Sequence, residues 1–242
     1  MWDSNFNKDE FYFNVSKGKF NNYSTITKFG EAPNVGSTEV TLWDESSLYP
    51  WPTSALAMTL VSNNVNDSIS GTGARKVVVY GLDNQYNEIF EIVELNGTTP
   101  VPLINSYFRN FRMIVIDAGS TGSAQGKISL QNSGTIYASI LNGNNQTLMG
   151  VYSVPANHTA YIISASSSSS SGKSVTGSLY VRPFGQVFQC KYRYNLYQNF
   201  ARLDLTVPFI IPEKNDIDIR ASSSASGTDV TISWQMIIEK NK

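Results

Sequence analysis

Cysteine is nearly absent from this chain: Cys190 is the only one in 242 residues. An intrachain disulfide is excluded, and so is a zinc site built on a cysteine cluster. Histidine is equally scarce, and the lone His158 leaves no second imidazole for a shared metal. Charge is thin. Asp, Glu, Lys and Arg make up 15% of the chain, against about 25% in an average soluble protein. The net charge of -1 supplies no field to gather nucleic acid or an anionic membrane surface. Long apolar runs are missing too. None approaches the ~18 residues of a membrane span, and the opening MWDSNFNKDEFYF has no apolar core of signal-peptide length. The expectation is a protein made and folded in a cytosol, with neither nucleic acid nor a membrane as partner. Sequons at Asn14, Asn22, Asn66, Asn96, Asn145 and Asn157 are then by-products of an Asn- and Thr-rich composition.

What is present is β-structure. Apolar residues make up 41% of the chain, enough for a packed core in one large all-β domain or two ordinary ones. Helical periodicity is almost absent, whereas period-two alternation recurs between Gly, Asn, Ser and Pro clusters, as in sandwiches and barrels. Gly71–Val101 is the clearest stretch. Lys76–Leu82 reads as a strand, Asp83–Asn87 as a turn and Ile89–Leu95 as a second strand, closed by the hairpin signal Asn96-Gly97. Ala55–Val61 reads as the first core strand; Arg112–Asp117 and Lys127–Leu130 close the first sandwich. Gly143–Gln146 reads as a turn, and the run Ser166–Ser171 as a loop too polar to pack. Near the C-terminus Leu203, Leu205 and Val207 point one way. Ile217, Ile219 and Ala221 alternate with Asp216, Asp218 and Arg220, and Val230, Ile232, Trp234, Met236 and Ile238 with polar neighbours. Each such strand is expected to have one buried and one wet face.

The tempting chemical motifs fail on spacing. Gly71-Thr72-Gly73 precedes a strand rather than opening a helix, and Lys76 stands where a dinucleotide loop needs its last glycine. Gly122–Lys127 is one residue short of a phosphate loop, with Ile128 in the magnesium-binding place. His158 reads as a turn residue and Cys190 as a small buried hydrophobe on a strand, not as a dyad. Asp204, Asp216 and Asp218 could do glycosidic acid/base work or bind calcium, but the alternation explains them as solvent-facing. Tyr80, Tyr86, Tyr192, Tyr194 and Tyr197 read as core-edge or subunit-contact rings before a sugar platform. No catalytic, cofactor-binding or metal-ligating residue is assigned.

Several stretches resemble structural proteins of tailed-bacteriophage virions: Gly71–Arg75, Val79-x-Gly81-Leu82-Asp83, Glu91-x-Val93-x-Leu95 through Val101, and Phe108-Arg109. Lys28-Phe29-Gly30, Asn34-Val35, Trp43-Asp44, Val154-Pro155, Thr159–Tyr161, Ile211–Lys214 and Asp216-Ile217 are similar to the same proteins. Where this chain has Asn157-His158, a Gly-containing turn is the pattern. The resemblance implies a β-sandwich virion component such as a head fibre, decoration protein or tail-associated protein, and carries over no catalytic residue.

The expected protein is therefore all-β, with two antiparallel, jelly-roll-like sandwiches at residues 1–135 and 136–242. An aromatic-rich segment, about residues 1–50, is expected to pack across the first sandwich or anchor a neighbouring subunit. The function expected is that of a non-enzymatic virion protein, a capsid-associated decoration or fibre component, located in the virion after assembly in the host cytoplasm. Its partners would be itself, as a homo-oligomer and best a trimer, and other virion proteins such as the major capsid or tail proteins. The alternative is a carbohydrate- or receptor-binding adhesion module that takes host surface glycans. A glycoside hydrolase built on the three aspartates ranks last.

Overall fold

The computed structural model describes residues 8–170 and 172–241. In chain order its elements begin with helix α1 (Lys8–Ser16) and strands β1 (Tyr23–Val35) and β2 (Val40–Thr41). Then come β3 (Leu56–Ser62), β4 (Ala74–Leu82), β5 (Glu88–Glu94), β6 (Val101–Tyr107), β7 (Arg109–Ala118), β8 (Ile128–Asn132) and β9 (Thr135–Ile140). The remainder is β10 (Val151–Ser153), β11 (His158–Ser169), β12 (Val175–Arg182), β13 (Gln189–Asn195), β14 (Phe200–Ile211), β15 (Asp216–Ser223) and β16 (Thr228–Lys240). Every strand pairing is antiparallel, so the chain is all-β as expected.

Helix α1 carries Asp9 and Glu10 in its first turn, where they complement the helix dipole. It ends at Gly18, whose φ is +68°; there the Gly18 and Lys19 N–H groups close back on Val15 and Asn14.

Four sheets carry two separate cores. The first core lies between the sheet β6-β3-β8-β9 and the sheet β5-β4-β7, filled by residues such as Trp43, Met58, Leu60, Val77, Tyr107, Met113 and Leu130. The second lies between β1-β16-β11-β14 and β10-β15-β12-β13, with β2 added to β15; Leu42, Tyr152, Ile162, Ile217, Ile232 and Trp234 fill it. In the second unit the pairs nest: β1 with β16, β10 with β15, β11 with β14, β12 with β13. The pairs β11–β16 and β12–β15 then join these ribbons into the two sheets.

The division of the chain differs from the expected 1–135 and 136–242. Residue 135 begins β9, which is hairpinned to β8, so a boundary there would split a sheet. Residues 23–42 belong with the C-terminal strands: β1 is registered along β16 from Tyr23↔Glu239 to Ala32↔Val230, and Ala32, Val35 and Leu42 are buried in the second core. The first unit is thus an insertion between β2 and β10. Its two connections run side by side, with the Gly150 N–H on the Leu42 carbonyl at 2.7 Å and a bridge between Trp43 and Met149. Glycine at position 30 allows this approach, because a Cβ there would lie 2.2 Å from the Leu42 oxygen.

Of the expected aromatic segment, Phe11, Phe20 and Tyr23 form a ring cluster beside α1, with Phe11 5.5 Å from Phe20 and 5.6 Å from Tyr23; Trp2 and Phe6 lie outside the described residues. Three local readings also change. Asn96-Gly97 does not close a hairpin, because β6 pairs with β3 in the opposite sheet; the Gly97 N–H is instead tied to the Asp67 carbonyl. Ser166–Ser169 is strand, paired by β16 throughout and by β14 as far as Ser168, and the Ser167 hydroxyl satisfies the Thr231 carbonyl at 2.7 Å. Val207 turns outward, 78% exposed, because the β11–β14 register breaks between Asp204 and Phe209.

Candidate functional site

The two units meet on a desolvated set of charges. Asp216 and Asp218 stand on the face of β15 opposite Ile217 and Ile219, yet they are only 2% and 0% exposed, because the first unit covers them. This overturns their reading as solvent-facing acids. Asp216 Oδ1 accepts from Arg109 Nε at 2.7 Å and from Ser153 Oγ; Oδ2 accepts from Arg109 Nη2 at 3.1 Å and from Arg182 Nε and Nη2 at 2.9 and 2.6 Å. Asp218 is held by Thr41 Oγ1 at 2.9 Å, Trp51 Nε1 at 3.2 Å and Arg220 Nε at 2.9 Å. Rings sandwich the guanidinium groups: Arg109 lies 3.7 Å over Phe108 and Arg182 4.6 Å over Phe188. The Asp216 carboxylate, with two donors on Oδ1 and three on Oδ2, has its lone pairs engaged. The junction is a joint, tied across by Arg109 to Asp216 and by Trp51 to Asp218.

Other ionisable groups lie close to the same boundary. Lys28 is buried and donates to the Phe111 carbonyl; burial, and then the charge of Arg112, holds its pKa well below the ordinary lysine value. Asp44 accepts from the Leu148 N–H at 3.0 Å, and burial pushes its carboxyl up to about 7.

The two glycine motifs form an anion cradle that the chain fills itself. Asp67, fully buried, takes the N–H groups of Ala74 and Gln125 on Oδ1 at 2.9 and 2.8 Å, and the Gly126 N–H and the Ser62 hydroxyl on Oδ2 at 2.9 and 2.6 Å. A Cβ on Gly73 would meet Asp67 Oδ1 at 2.2 Å. Backbone donors grouped this way bind anions, and here the anion is a side chain of the same unit. The signal missed in sequence was Asp67, set in an Asn/Ser-rich turn apart from both glycine motifs.

The remaining candidates stay apart. Asp204 lies on β14 in the other sheet from Asp216 and Asp218, ion-paired to Arg202 at 2.8 Å, so the three aspartates form no common site. His158 sits after Asn157 (φ 59°), its Nδ1 2.8 Å from the Ala156 carbonyl. Cys190 is exposed on β13, contrary to its reading as a buried hydrophobe. The five tyrosines form no single platform: Tyr80 packs near Phe90, Tyr86 belongs to the joint, Tyr192 and Tyr194 stack with centroids 6.5 Å apart, and Tyr197 is exposed. Among the described residues no group of His, Cys, Asp and Glu is placed to hold a metal, and no helix is long and apolar enough to cross a membrane.

A concave surface does exist on the outer face of the second unit. A groove of about 410 Å³ runs between α1 and β14, lined by Phe11, Tyr12, Tyr23, Tyr161, Ile163, Pro208 and Glu239. The Tyr23 and Tyr161 hydroxyls both donate to the Glu239 carboxylate, at 2.8 and 2.7 Å. These bonds to an anion raise both phenols, Tyr161 to about 12.

No protein-family model and no curated protein matches this chain. Among solved structures it is similar to that of the infectious bursal disease virus Gx strain, at 7% identity, covering 91% of this chain and 76% of that one with a TM-score of 0.23. The VP2 subviral particle of the same virus gives 8% identity, 90% and 77% coverage and a TM-score of 0.19. A bacterial lipoprotein from Bacteroides thetaiotaomicron gives 10% identity, 86% and 98% coverage and 0.15.

Proposed function

We propose that this chain is a non-enzymatic structural protein of a tailed-bacteriophage virion, a capsid-associated decoration or fibre component that assembles as a homo-oligomer, best a trimer, against capsid or tail proteins. The observation that carries the reading is the build of the second unit. Its nested pairs, 1–8, 2–7, 3–6 and 4–5 when its eight long-range strands are counted in order, support a jelly roll, an architecture recurrent in capsid proteins. The first unit nests only β3 with β8 and β4 with β7, so the jelly-roll reading is proposed for the second alone. Fold by itself does not fix function. The assignment to virions therefore leans on the resemblance of Gly71–Val101 and its companion motifs. The locked joint and the self-filled anion cradle support it further, since both use ionisable chemistry to hold shape. The test is mass spectrometry of purified particles from the phage that encodes the chain, followed by cryo-electron microscopy. Stoichiometric copies with this fold traced on the particle are expected; a chain present in infected cells but missing from particles refutes the reading.

The groove beside α1 favours one second reading, a glycan-binding module. Tyrosine rings stack on sugar faces, and a carboxylate such as Glu239 accepts from sugar hydroxyls. Saturable binding on a glycan array, lost in Tyr161→Ala, would support it; a blank array removes it.

A further inference from the structure

Strand β14 ends its sheet: β11 pairs with one side, and among the described residues no strand pairs with the other. Unpaired edges recruit other chains, so natural proteins blunt them. Pro208 and the register break before it blunt the C-terminal half of β14. The other half is regular, from Phe200↔Ser168 to Asp204↔Ser164; Tyr197 closes the outer side of Phe200 by exchanging both backbone hydrogen bonds with it at 3.1 Å, so the open edge runs from Arg202. It carries Arg202 and Asp204, both exposed on the outer face, while Leu203 between them points inward. A protective charge of one sign would repel a second copy. An Arg and an Asp two residues apart do the opposite when the strand meets its own inverted copy.

We propose that this edge is a self-contact, in which β14 of two copies pairs antiparallel about a two-fold axis through Leu203. Register follows from parity and charge. Outward residues must face outward residues, so the axis passes through a residue rather than between two. An axis at Arg202 sets arginine against arginine, and one at Asp204 sets aspartate against aspartate. Only the axis at Leu203 sets Arg202 opposite Asp204 of the second copy, twice, in an alternating ring of four charges. The space behind this edge is under-packed: a cavity of about 70 Å³ is lined by Leu203, Phe209, Tyr192 and Trp234, and Trp234 Nε1 has no hydrogen-bond partner among the described residues. Leu203 of the second copy would close its mouth. So short a contact buries less than the roughly 1,000 Å² of a stable interface, so it is weak alone and gains strength from avidity on a particle. A two-fold contact is not the contact within a cyclic trimer, so it would join copies of neighbouring trimers; the inference deepens the assembly reading above and rests on it for its setting.

The test is register-specific disulfide trapping of the full chain in a Cys190→Ser background. Arg202→Cys and Asp204→Cys proteins are oxidised separately and as a mixture. The mixture is expected to give a covalent dimer in excess over either protein alone; no excess overturns the proposal. Sedimentation then compares Arg202→Asp, expected to weaken self-association about tenfold or more, with the swap Arg202→Asp/Asp204→Arg, expected to restore it. A swap that fails to restore overturns the register even if both variants fold. A register-specific dimer from a chain absent from particles would refute the virion reading and leave this contact standing.

Discussion

Replacing Asp67 tests whether the glycine motifs are structural. Its carboxylate takes four donors, three of them backbone N–H groups from loops far apart in sequence: Ala74, Gln125 and Gly126. Hydrogen bonds to a charged group contribute about 1.5–3 kcal/mol each, and a buried donor left unpaired costs about 1–3 kcal/mol. The contributions are not additive, because the loops relax together. Asp67→Ala strands three N–H groups around a hole and should cost about 4–5 kcal/mol, a large share of the 5–15 kcal/mol of a typical domain. Asp67→Asn keeps one acceptor oxygen for Ala74 and Gln125 but turns a donor toward Gly126, for about 2 kcal/mol. Gly73→Ala should destabilise as well, since its Cβ would strike Asp67 Oδ1. Urea unfolding followed by tryptophan fluorescence suits the measurement, because Trp43 lies in the first core and Trp234 in the second. The loss should lower the coupled transition of the chain, with Trp43 in the inserted unit reporting it at least as early as Trp234. An Asp67→Ala protein within 1 kcal/mol of the parent, or a loss confined to the C-terminal unit, refutes the cradle.

Three further outcomes follow from the joint and the serine strand. Arg109→Met leaves Asp216 short of two hydrogen bonds in a dry site; it should cost about 3–5 kcal/mol and separate the melting of the two units in calorimetry, whereas a single unchanged transition contradicts the joint. Asp44, raised from 3.8 to about 7, keeps its proton in the folded state after the unfolded chain has lost it, so stability falls as pH rises between those values and is level above. Asp44→Asn should therefore gain stability on the parent across that window, on the order of 4 kcal/mol at its top, read from urea midpoints at several pH values; a constant difference between the two proteins would falsify the assignment. Ser167→Leu, overpacking a buried position between two partner strands, should cost about 1–3 kcal/mol against a smaller loss for Ser167→Ala, measured as midpoint shifts; equal losses would mean that Ser167 is not confined.

The alternation Val230–Ile238 was legible because one face of β16 is core and the other largely polar. The same rule misread Asp216 and Asp218. An Asp-Ile-Asp-Ile-Arg run looks half-wet, and nothing local says that a second unit lies across the polar face. The clue was distributed: Arg109, 107 residues away, and Arg182 needed partners in a chain poor in charge. Tyr23–Val35 was misplaced for a related reason. Its partner is the last strand, 216 residues distant at Tyr23–Glu239, and periodicity carries no information about pairing at that range. The serine run was read by composition, although small polar side chains suit a strand flanked on both sides, where hydroxyls can satisfy neighbouring carbonyls.

The scarcity of charge gains meaning from where the charges went. Arg109, Arg220, Asp216, Asp218, Lys28, Asp67 and Asp44 are withdrawn wholly or largely from water, so the exterior is even less charged than 15% suggests. Buried pairs are poorly screened by salt, whereas exposed ones are screened within about 10 Å at 0.1 M. The joint and the β14 edge should therefore part company in a salt titration. Raising ionic strength should loosen the Arg202–Asp204 self-contact, whose side chains are 66% and 62% exposed, while the thermal transition coupling the two units holds. Sedimentation and calorimetry on the same samples read the two responses. If salt moves both together, the joint is wetter than its geometry indicates; if it moves neither, opposite charges do not hold the edge.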